Sequence, residues 1–453
     1  MKKILLVVIS TVFGLVALLL ILAYAVAGFS PVYLYNAPSV ATGIGAKLAC
    51  SMRYITGYEP DKIAKDIEVY SPILTFLDYR YNDAGQYASS SFLGKTRRAQ
   101  FYPGIGCALE YFGHNTRATI QWPLMQPASA AWPKGNSVLT IQPDIQKKLD
   151  AMLAADNADG HDTRALLVVH NGNVVAESYA NGITSDTPLL GWSMSKSVTS
   201  LLLGHLEMQG IIDVDEDHLF PAWQNDERAN IRVEDMLQLN DGLDYEEKYD
   251  PGQVATKMLF QSANVADVML HRKAVYPAGE HHEYSSGTAN LVTYLVQQRI
   301  EGGVQSDVDA IVNGFFRPLG MTSIYFETDP DGFFMGSSYL YATARDWAKI
   351  GQLMLNGGEI NDHRLVSEDY IQRALTPNAS NNEKNFGYLW WLNDGDNVKR
   401  WPELPDNTYA ALGSRDQRVL VMPDDDLVIV RLGWSPKRYI TDENFSAIRS
   451  WFQ

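Results

Sequence analysis

The chain has 453 residues, of which 46% are hydrophobic and 20% charged, and this composition excludes a disordered or low-complexity protein. Its net charge of −16 disfavours a surface that grips nucleic-acid phosphates, so no nucleic-acid partner is expected. The two cysteines, Cys50 and Cys107, are too few for a cysteine-rich scaffold or a Cys-only zinc site, and we expect neither a metal nor another cofactor.

The N-terminus decides the compartment. Lys2 and Lys3 precede an uncharged apolar stretch over residues 4–28, which as a helix is long enough to cross a bilayer core of about 30 Å. We therefore predict a single-pass anchor in the cytoplasmic (inner) membrane, with the lysines on the cytoplasmic side. The alternative is a signal peptide cleaved near residues 23–27, with release to the periplasm. Both interpretations export the remaining chain, where Cys50 and Cys107 are expected to form a disulfide rather than stay free thiols.

Changes in composition divide the chain into four parts. They are the anchor or signal segment at residues 1–28, an N-terminal extension at 29–122, a Pro- and Ala-rich linker at 123–136, and one large domain at 137–453.

The large domain begins with a helical pattern over residues 145–153, for which Asp144 is the predicted N-cap. Two apolar runs, 165–170 and 173–178, then flank the dipeptide Asn171-Gly172, the strongest short signal for a β-hairpin.

A second strand pair lies near the C-terminus, at residues 418–422 and 427–433, on either side of Pro423 and an acidic run that we interpret as a solvated turn. A helix is predicted over 442–451. Because the chain between the two strand pairs is mainly helical, we expect a sheet built from both ends of the domain with a helical region inserted between them.

The chemistry is concentrated in the sequence GWSMSK, where Ser193 and Lys196 form an S-x-x-K motif at the start of an apolar helix that ends at Gly210. Residues three apart lie on one helix face, so the lysine amine is placed beside the serine hydroxyl, which needs a neighbouring base to act as a nucleophile. Burial lowers the pKa of a lysine and lets it be that base. The motif also resembles the G-x-S-x-G elbow of α/β-hydrolases, but it lacks the final glycine and does not directly follow a strand.

Two further elements are candidates for the same site. Tyr284 can relay protons beside a serine–lysine pair if the lysine charge eases its ionisation, and Ser286 can orient Lys196 through a hydrogen bond. Alternatively, Tyr284 is a loop residue before a helix over 287–299. The adjacent His281 and His282 fit no zinc-helix spacing and are expected to be loop residues.

The third element is the segment ALGSRDQ, just before the C-terminal strand pair. Gly413 permits close approach of a substrate, and the neighbouring backbone N–H of Ser414 can serve as an oxyanion donor. The alternative is an ordinary glycine-containing turn.

Together the elements S-M-S-K, Y-S-S and G-S-R-D-Q resemble the serine β-lactamase-related family, in particular its class C β-lactamase and esterase branch and the 6-aminohexanoate-dimer hydrolase group. The stretches at 187–216, 236–247, 336–355 and 386–392 are also similar to that group. The resemblance implies an α/β (α+β) fold of the β-lactamase/transpeptidase type, an antiparallel sheet flanked by helices plus a mainly helical region. It further implies that Ser193 is the nucleophile, Lys196 its base and Tyr284 a second proton-relay residue, with the N–H groups of Ser193 and Ser414 as oxyanion hole.

The sequence departs from the family pattern at three positions. Ser286 stands where β-lactamases of this branch usually have asparagine, which lowers the expectation of β-lactam turnover. The third element lacks Lys-Thr-Gly, so a cation for a substrate carboxylate is missing unless Arg415 supplies it. Asp416 replaces a glycine common in the dimer hydrolases, and an acidic residue near the pocket disfavours anionic substrates.

The sequence thus predicts an exported serine hydrolase that cleaves a small-molecule ester or amide through an acyl-enzyme. A D-amino-acid peptidase, penicillin-binding or β-lactamase activity is the first alternative, because it uses the same nucleophile. An anchored, catalytically inactive binding module is the alternative from another class, and the intact Ser193–Lys196 pair disfavours it.

Overall fold

The structure is a computed structural model that describes residues 8, 9, 11, 14, 30–114, 119–123, 125, 129–395 and 398–453. Within these residues there is no helix long and apolar enough to cross a membrane. The predicted anchor at 4–28 lies outside the described residues, apart from four positions.

The N-terminal region folds as two helices on a small antiparallel sheet. Helix α1 (Pro31–Ser51) and helix α2 (Pro60–Glu68) precede strands β1 (Asp78–Asn82), β2 (Tyr87–Phe92), β3 (Lys95–Tyr102) and β4 (Gly106–Leu109), which pair in that order. Ser30 caps α1 by accepting from the Tyr33 amide. The helix packs closely on the sheet, since a Cβ at Gly45 would lie 2.6 Å from Ser90 Oγ.

The second part of the chain contains the larger sheet and two small strand groups. Its strands are β5 (Thr163–His170), β6 (Asn173–Tyr179), β7 (Leu189–Leu190), β8 (Tyr325–Phe326), β9 (Leu340–Ala342), β10 (Glu359–Ile360), β11 (His363–Arg364), β12 (Trp391–Leu392), β13 (Tyr409–Gly413), β14 (Gln417–Met422) and β15 (Leu427–Gly433). The main sheet is antiparallel with the order β12-β13-β14-β15-β5-β6. Strands from both ends of the domain therefore pair side by side, with Val430 opposite Leu167, and this prediction is confirmed.

Helices pack on both faces of this sheet and also form the helical region inserted between its strands. They are α3 (Pro143–Ala158), α4 (Met194–Met208), α5 (Val233–Leu237), α6 (Val254–Gln261), α7 (Val265–Leu270), α8 (Ser286–Arg299), α9 (Val304–Asp309), α10 (Ala344–Leu355), α11 (Glu368–Ala374) and α12 (Thr441–Ser450). Helices α3 and α12 pack with Leu166 and Val168 on one face, whereas Leu167 and Val169 join the larger core on the other. The alternation follows from the two-residue period of a strand.

The local predictions hold with one correction. Asn171 and Gly172 have φ of 48° and 69°, as the tight hairpin turn between β5 and β6 requires. Asp144 is not an N-cap, because α3 starts earlier at Pro143 and its N-cap is Gln142. Proline is favoured at the first helical position because its fixed φ suits the helix, so Asp144 falls in the first turn instead.

The N-terminal region is joined to the larger domain by a buried polar cluster. Lys47 and Glu327, which are 2% and 0% exposed, form an ion pair, and the Cys107 amide donates to the Glu327 carboxylate over 2.6 Å. A disulfide joins Cys50 of α1 to Cys107 of β4, with the Cα atoms 6.0 Å apart. Trp132 of the predicted linker is also buried and donates to the Arg345 carbonyl.

Candidate active site

Ser193 lies at a tight turn between β7 and α4, where it is the N-cap residue of the helix, so the motif follows a short strand directly, contrary to the expectation from sequence. Trp192 adopts a left-handed conformation with φ of 48°, which turns the chain sharply into the helix. The preceding Gly191 donates its N–H to the Leu340 carbonyl over 2.9 Å, and a Cβ there would lie 2.2 Å from the Trp347 ring. Glycine is therefore needed for this turn, which fixes the serine at the helix start.

Lys196 is the buried centre of the site, with 1% of its surface exposed. Its Nζ lies 3.1 Å from Ser193 Oγ, 2.9 Å from Ser286 Oγ and 3.1 Å from the Ser337 carbonyl oxygen. Burial lowers the pKa of Lys196 to about 8, because the charged form loses its hydration. At pH 7 about a tenth of this amine is therefore unprotonated and can accept a proton, and the fraction rises steeply above that pH.

Tyr284 lies over the same lysine. Lys196 Nζ is 4.8 Å from the centre of the tyrosine ring, and the ring stacks on Trp391. Burial and the charge of Glu247 raise the pKa of Tyr284, while a hydrogen bond with Ser193 opposes that rise. The expectation that the lysine charge eases ionisation of Tyr284 is thus wrong: the phenol stays protonated and is suited to donate a proton.

Sequence reasoning missed Glu247. Its carboxylate accepts from the Ser286 amide over 2.8 Å, and also from the Ser286 and Tyr249 hydroxyls. Glu247 thereby orients Ser286, and its charge raises the pKa of Lys196 against the effect of burial. Glu247 ends the stretch at 236–247 that resembles the dimer-hydrolase group, which is the sequence signal that points to it.

The end of β13 packs against Gly191, in the turn that precedes Ser193. A Cβ on Gly413 would lie 2.1 Å from the Gly191 carbonyl oxygen, so the two chain segments meet at a distance that only glycine permits. Ser193 and Ser414 line one cavity of about 380 Å³. A larger groove of about 850 Å³, near Lys384, contains none of the candidate side chains among its described lining residues.

Arg415 is one of the lining residues of this cavity, whereas Asp416 is not among its described lining residues. The Arg415 guanidinium lies 4.2 Å from the centre of the Tyr70 ring and donates to the Val69 and Ser435 carbonyls. Asp416 pairs with Arg418 over 2.6 Å and accepts from the Tyr439 amide. The Asp416 carboxylate is thus held by the Arg418 guanidinium and the Tyr439 backbone N–H.

Three other polar side chains near the motifs have structural partners. Ser195 Oγ donates to the Trp192 carbonyl over 2.7 Å and accepts from the Leu340 amide, so it stabilises the turn that leads into Ser193. His282 bonds to the Gln238 carbonyl, and His281 stacks on Tyr276, which agrees with their expected loop positions.

Comparisons with known proteins identify the family. The sequence model of the Beta-lactamase family matches residues 149–437. The 6-aminohexanoate-dimer hydrolase of Paenarthrobacter ureafaciens is 24% identical over 328 residues, which cover 68% of this chain and 80% of that protein.

Solved structures give the same fold. A Bacillus anthracis protein assigned as a 6-aminohexanoate-dimer hydrolase has a TM-score of 0.51 at 18% identity, over 75% of this chain and 88% of that one. A class C beta-lactamase has a TM-score of 0.51 at 15% identity, over 68% of this chain and 95% of that one. The fold is therefore the predicted β-lactamase/transpeptidase-like arrangement of antiparallel strands and helices.

Proposed function

The chain belongs to the beta-lactamase family and is a serine hydrolase, and on this premise we propose that it cleaves an ester or amide bond through an acyl-enzyme on Ser193. The observation that carries the proposal is the position of Lys196, whose buried Nζ lies 3.1 Å from the Ser193 hydroxyl oxygen. A base at hydrogen-bond distance, with its pKa lowered towards neutrality, is what a serine nucleophile needs.

In the acylation step, the neutral amine of Lys196 accepts the Ser193 proton while Oγ attacks the substrate carbonyl carbon. The negative charge that develops on the carbonyl oxygen is stabilised by the backbone N–H groups of Ser193 and Ser414. The bond to the leaving group then breaks, and the departing alcohol or amine takes a proton from Tyr284. The proton held by Lys196 restores that phenol.

Deacylation repeats the chemistry with water in place of the serine. The base removes a proton from water, the resulting hydroxide attacks the acyl carbonyl, and the carbon–oxygen bond to Ser193 breaks. Ser193 recovers its proton and the carboxylic acid leaves. Ser286, held by Glu247, keeps the Lys196 amine directed at the serine through both steps.

An ester or amide substrate is favoured over a β-lactam or a peptide with a free carboxylate. The guanidinium of Arg415 donates to two backbone carbonyls and lies on Tyr70, so its position suits support of the pocket wall better than binding of a carboxylate. This distinguishes the proposal from the penicillin-recognising alternative.

The proposed place of action is outside the cytoplasm. The Cys50–Cys107 disulfide supports an oxidising compartment such as the periplasm, both for a retained and for a cleaved N-terminal segment.

Covalent labelling with a fluorophosphonate probe tests the nucleophile. We expect Ser193→Ala to abolish labelling and ester hydrolysis. Ser195→Ala, the control two residues away, keeps the nucleophile and should still be labelled, with slower ester hydrolysis because the turn at Ser193 loses two hydrogen bonds. In parallel, the wild type should hydrolyse p-nitrophenyl esters and leave nitrocefin intact. Labelling lost in Ser195→Ala alone, or rapid turnover of nitrocefin with inert esters, would overturn the proposal.

A further inference from the structure

The cavity at Ser193 continues away from the catalytic polar groups along helix α1 of the N-terminal region. The residues of α1 that line it are spaced three or four apart and form one helix face: Tyr33, Ala37, Val40, Ala41, Ile44 and Leu48. Apart from the tyrosine hydroxyl, these side chains are hydrocarbon.

The opposite walls are also apolar. Ile73 and Leu74 come from the segment after α2, and Leu259 and Phe260 come from α6 of the larger domain. Helix α1 packs tightly against this second wall, because a Cβ on Gly43 would lie 3.0 Å from Phe260 Cβ. We call the space between these walls and α1 the acyl pocket.

The acyl pocket has fixed walls. The Lys47–Glu327 ion pair and the disulfide at Cys50 anchor the C-terminal end of α1, and Tyr111 of the N-terminal region donates to the Phe260 carbonyl. A pocket with fixed apolar walls binds an apolar group without the entropic cost of ordering a loop.

The same cavity also has polar lining groups, which are Ser71, Tyr249, Asp250, Ser338, Ser414 and Arg415, together with Ser193. An uncharged chain fits against the apolar walls, and the scissile carbonyl belongs beside Ser193 and Ser414. The cavity volume of about 380 Å³ lies near the lower end of the range for small-molecule sites.

We infer that the acyl pocket binds the acyl chain of the substrate. The enzyme therefore prefers esters or amides of medium-length aliphatic carboxylic acids. The side chains of helix α1 that line the pocket determine the preferred chain length. This inference rests on the proposed acyl-enzyme on Ser193.

The test is a series of p-nitrophenyl esters from acetate to dodecanoate. Burying one methylene raises kcat/KM by about fourfold, so the wild type should gain strongly from acetate to octanoate and then level off. Ala41→Phe, which fills the pocket, should lower the octanoate-to-acetate ratio of kcat/KM by about 30-fold or more, which corresponds to between two and three lost methylenes. Ile44→Ala, which enlarges it, should move the optimum to longer chains.

Tyr35→Ala is the matched control, since Tyr35 lies on the same helix but is 86% exposed, and it should keep the wild-type profile. Active acetate hydrolysis with no dependence on chain length would overturn the inference and leave the proposed function standing. A wild type that hydrolyses no ester and resists the serine probe would instead overturn the proposed function. Should Ala41→Phe fail to fold, an unchanged optimum in Ile44→Ala would still refute the role of α1.

Discussion

The two halves of the site are built in different ways. The catalytic half consists of polar side chains held by hydrogen bonds of about 3 Å, with Lys196 shared between Ser193 and Ser286. The acyl pocket consists of apolar side chains that α1 and α6 hold in place by packing. Directional bonds fix the reacting atoms, whereas packing fixes the volume in which the substrate is bound.

The halves also differ in where they come from in the chain. The catalytic half lies within the region that the beta-lactamase family model matches, at 149–437, and α1 precedes it. The proposed chemistry therefore lies in the region that the family shares, and the proposed selectivity for chain length is supplied by a segment outside that region. A substitution in one half should therefore leave the function of the other half intact enough to measure.

Lys196→Met should have the largest effect, because it removes the base while keeping most of the side-chain volume. We expect kcat/KM for esters to fall by about 10⁴-fold.

The same variant should also change stability. Because burial lowers the pKa of Lys196 from its ordinary 10.5 to about 8, the protonated lysine destabilises the fold at neutral pH. The free energy of unfolding of Lys196→Met should therefore exceed that of the wild type by up to about 3 kcal/mol at pH 7.

The size of that stability gain depends on pH. Between pH 8 and 10.5 the unfolded lysine binds more protons than the folded one, so wild-type stability rises and the advantage of Lys196→Met fades. Urea unfolding at pH 7 and pH 10 measures this. A variant less stable than the wild type at pH 7 would show that the three contacts of Lys196 outweigh its burial.

Tyr284→Phe deletes one hydroxyl and should lower kcat/KM by about 10²–10³-fold, as expected for loss of a general acid. Stability should change little, since the ring keeps its stacking on Trp391 and its edge contact with Phe386. Tyr276→Phe, at a half-exposed ring outside the site, is the control. Wild-type rates in Tyr284→Phe would mean that the phenol takes no part in proton transfer.

Removing the disulfide should affect the acyl pocket and leave the catalytic half intact. Cys50→Ala with Cys107→Ala opens a loop of 57 residues, and the chain-entropy estimate is a loss of about 4 kcal/mol in the free energy of unfolding. Because the bond anchors α1, we also expect the octanoate-to-acetate ratio to fall while Ser193 remains labelled by the probe. The wild type under reducing conditions should behave likewise, and the double variant should not respond to reductant. Equal loss of both esters would contradict the division into halves.

The predictions from sequence were accurate where the signal is local. The hairpin at Asn171-Gly172 and the helix that carries Ser193 and Lys196 depend on residues within one turn of each other, and both are present as expected. The expected disulfide rests on the predicted compartment, and the two-ended sheet rests on the order of elements along the chain.

The features that the sequence analysis missed depend on tertiary structure, which local patterns do not encode. Helix α1 shows no clear amphipathic period because it is buried against the small sheet on one side and lines the acyl pocket on another. Glu247 lies 39 residues from Ser286, so that no spacing rule connects the two. The pKa of Tyr284 is shifted upward, opposite to the expected direction, because burial and the charge of Glu247 raise it, and neither effect is visible in the sequence.

Glu247→Gln should have the smallest effect and tests a residue beside Lys196 to which the sequence analysis assigned no role. The charge of Glu247 raises the pKa of Lys196, so removing it should lower that pKa and move the rise of kcat/KM with pH to lower pH, by about one unit or less. The amide oxygen of glutamine can still accept from Ser286, which preserves the orientation of the lysine. Glu246→Gln, an exposed neighbour paired with Lys248, should leave the profile in place. A shift to higher pH in Glu247→Gln would reverse the electrostatic role assigned to this carboxylate.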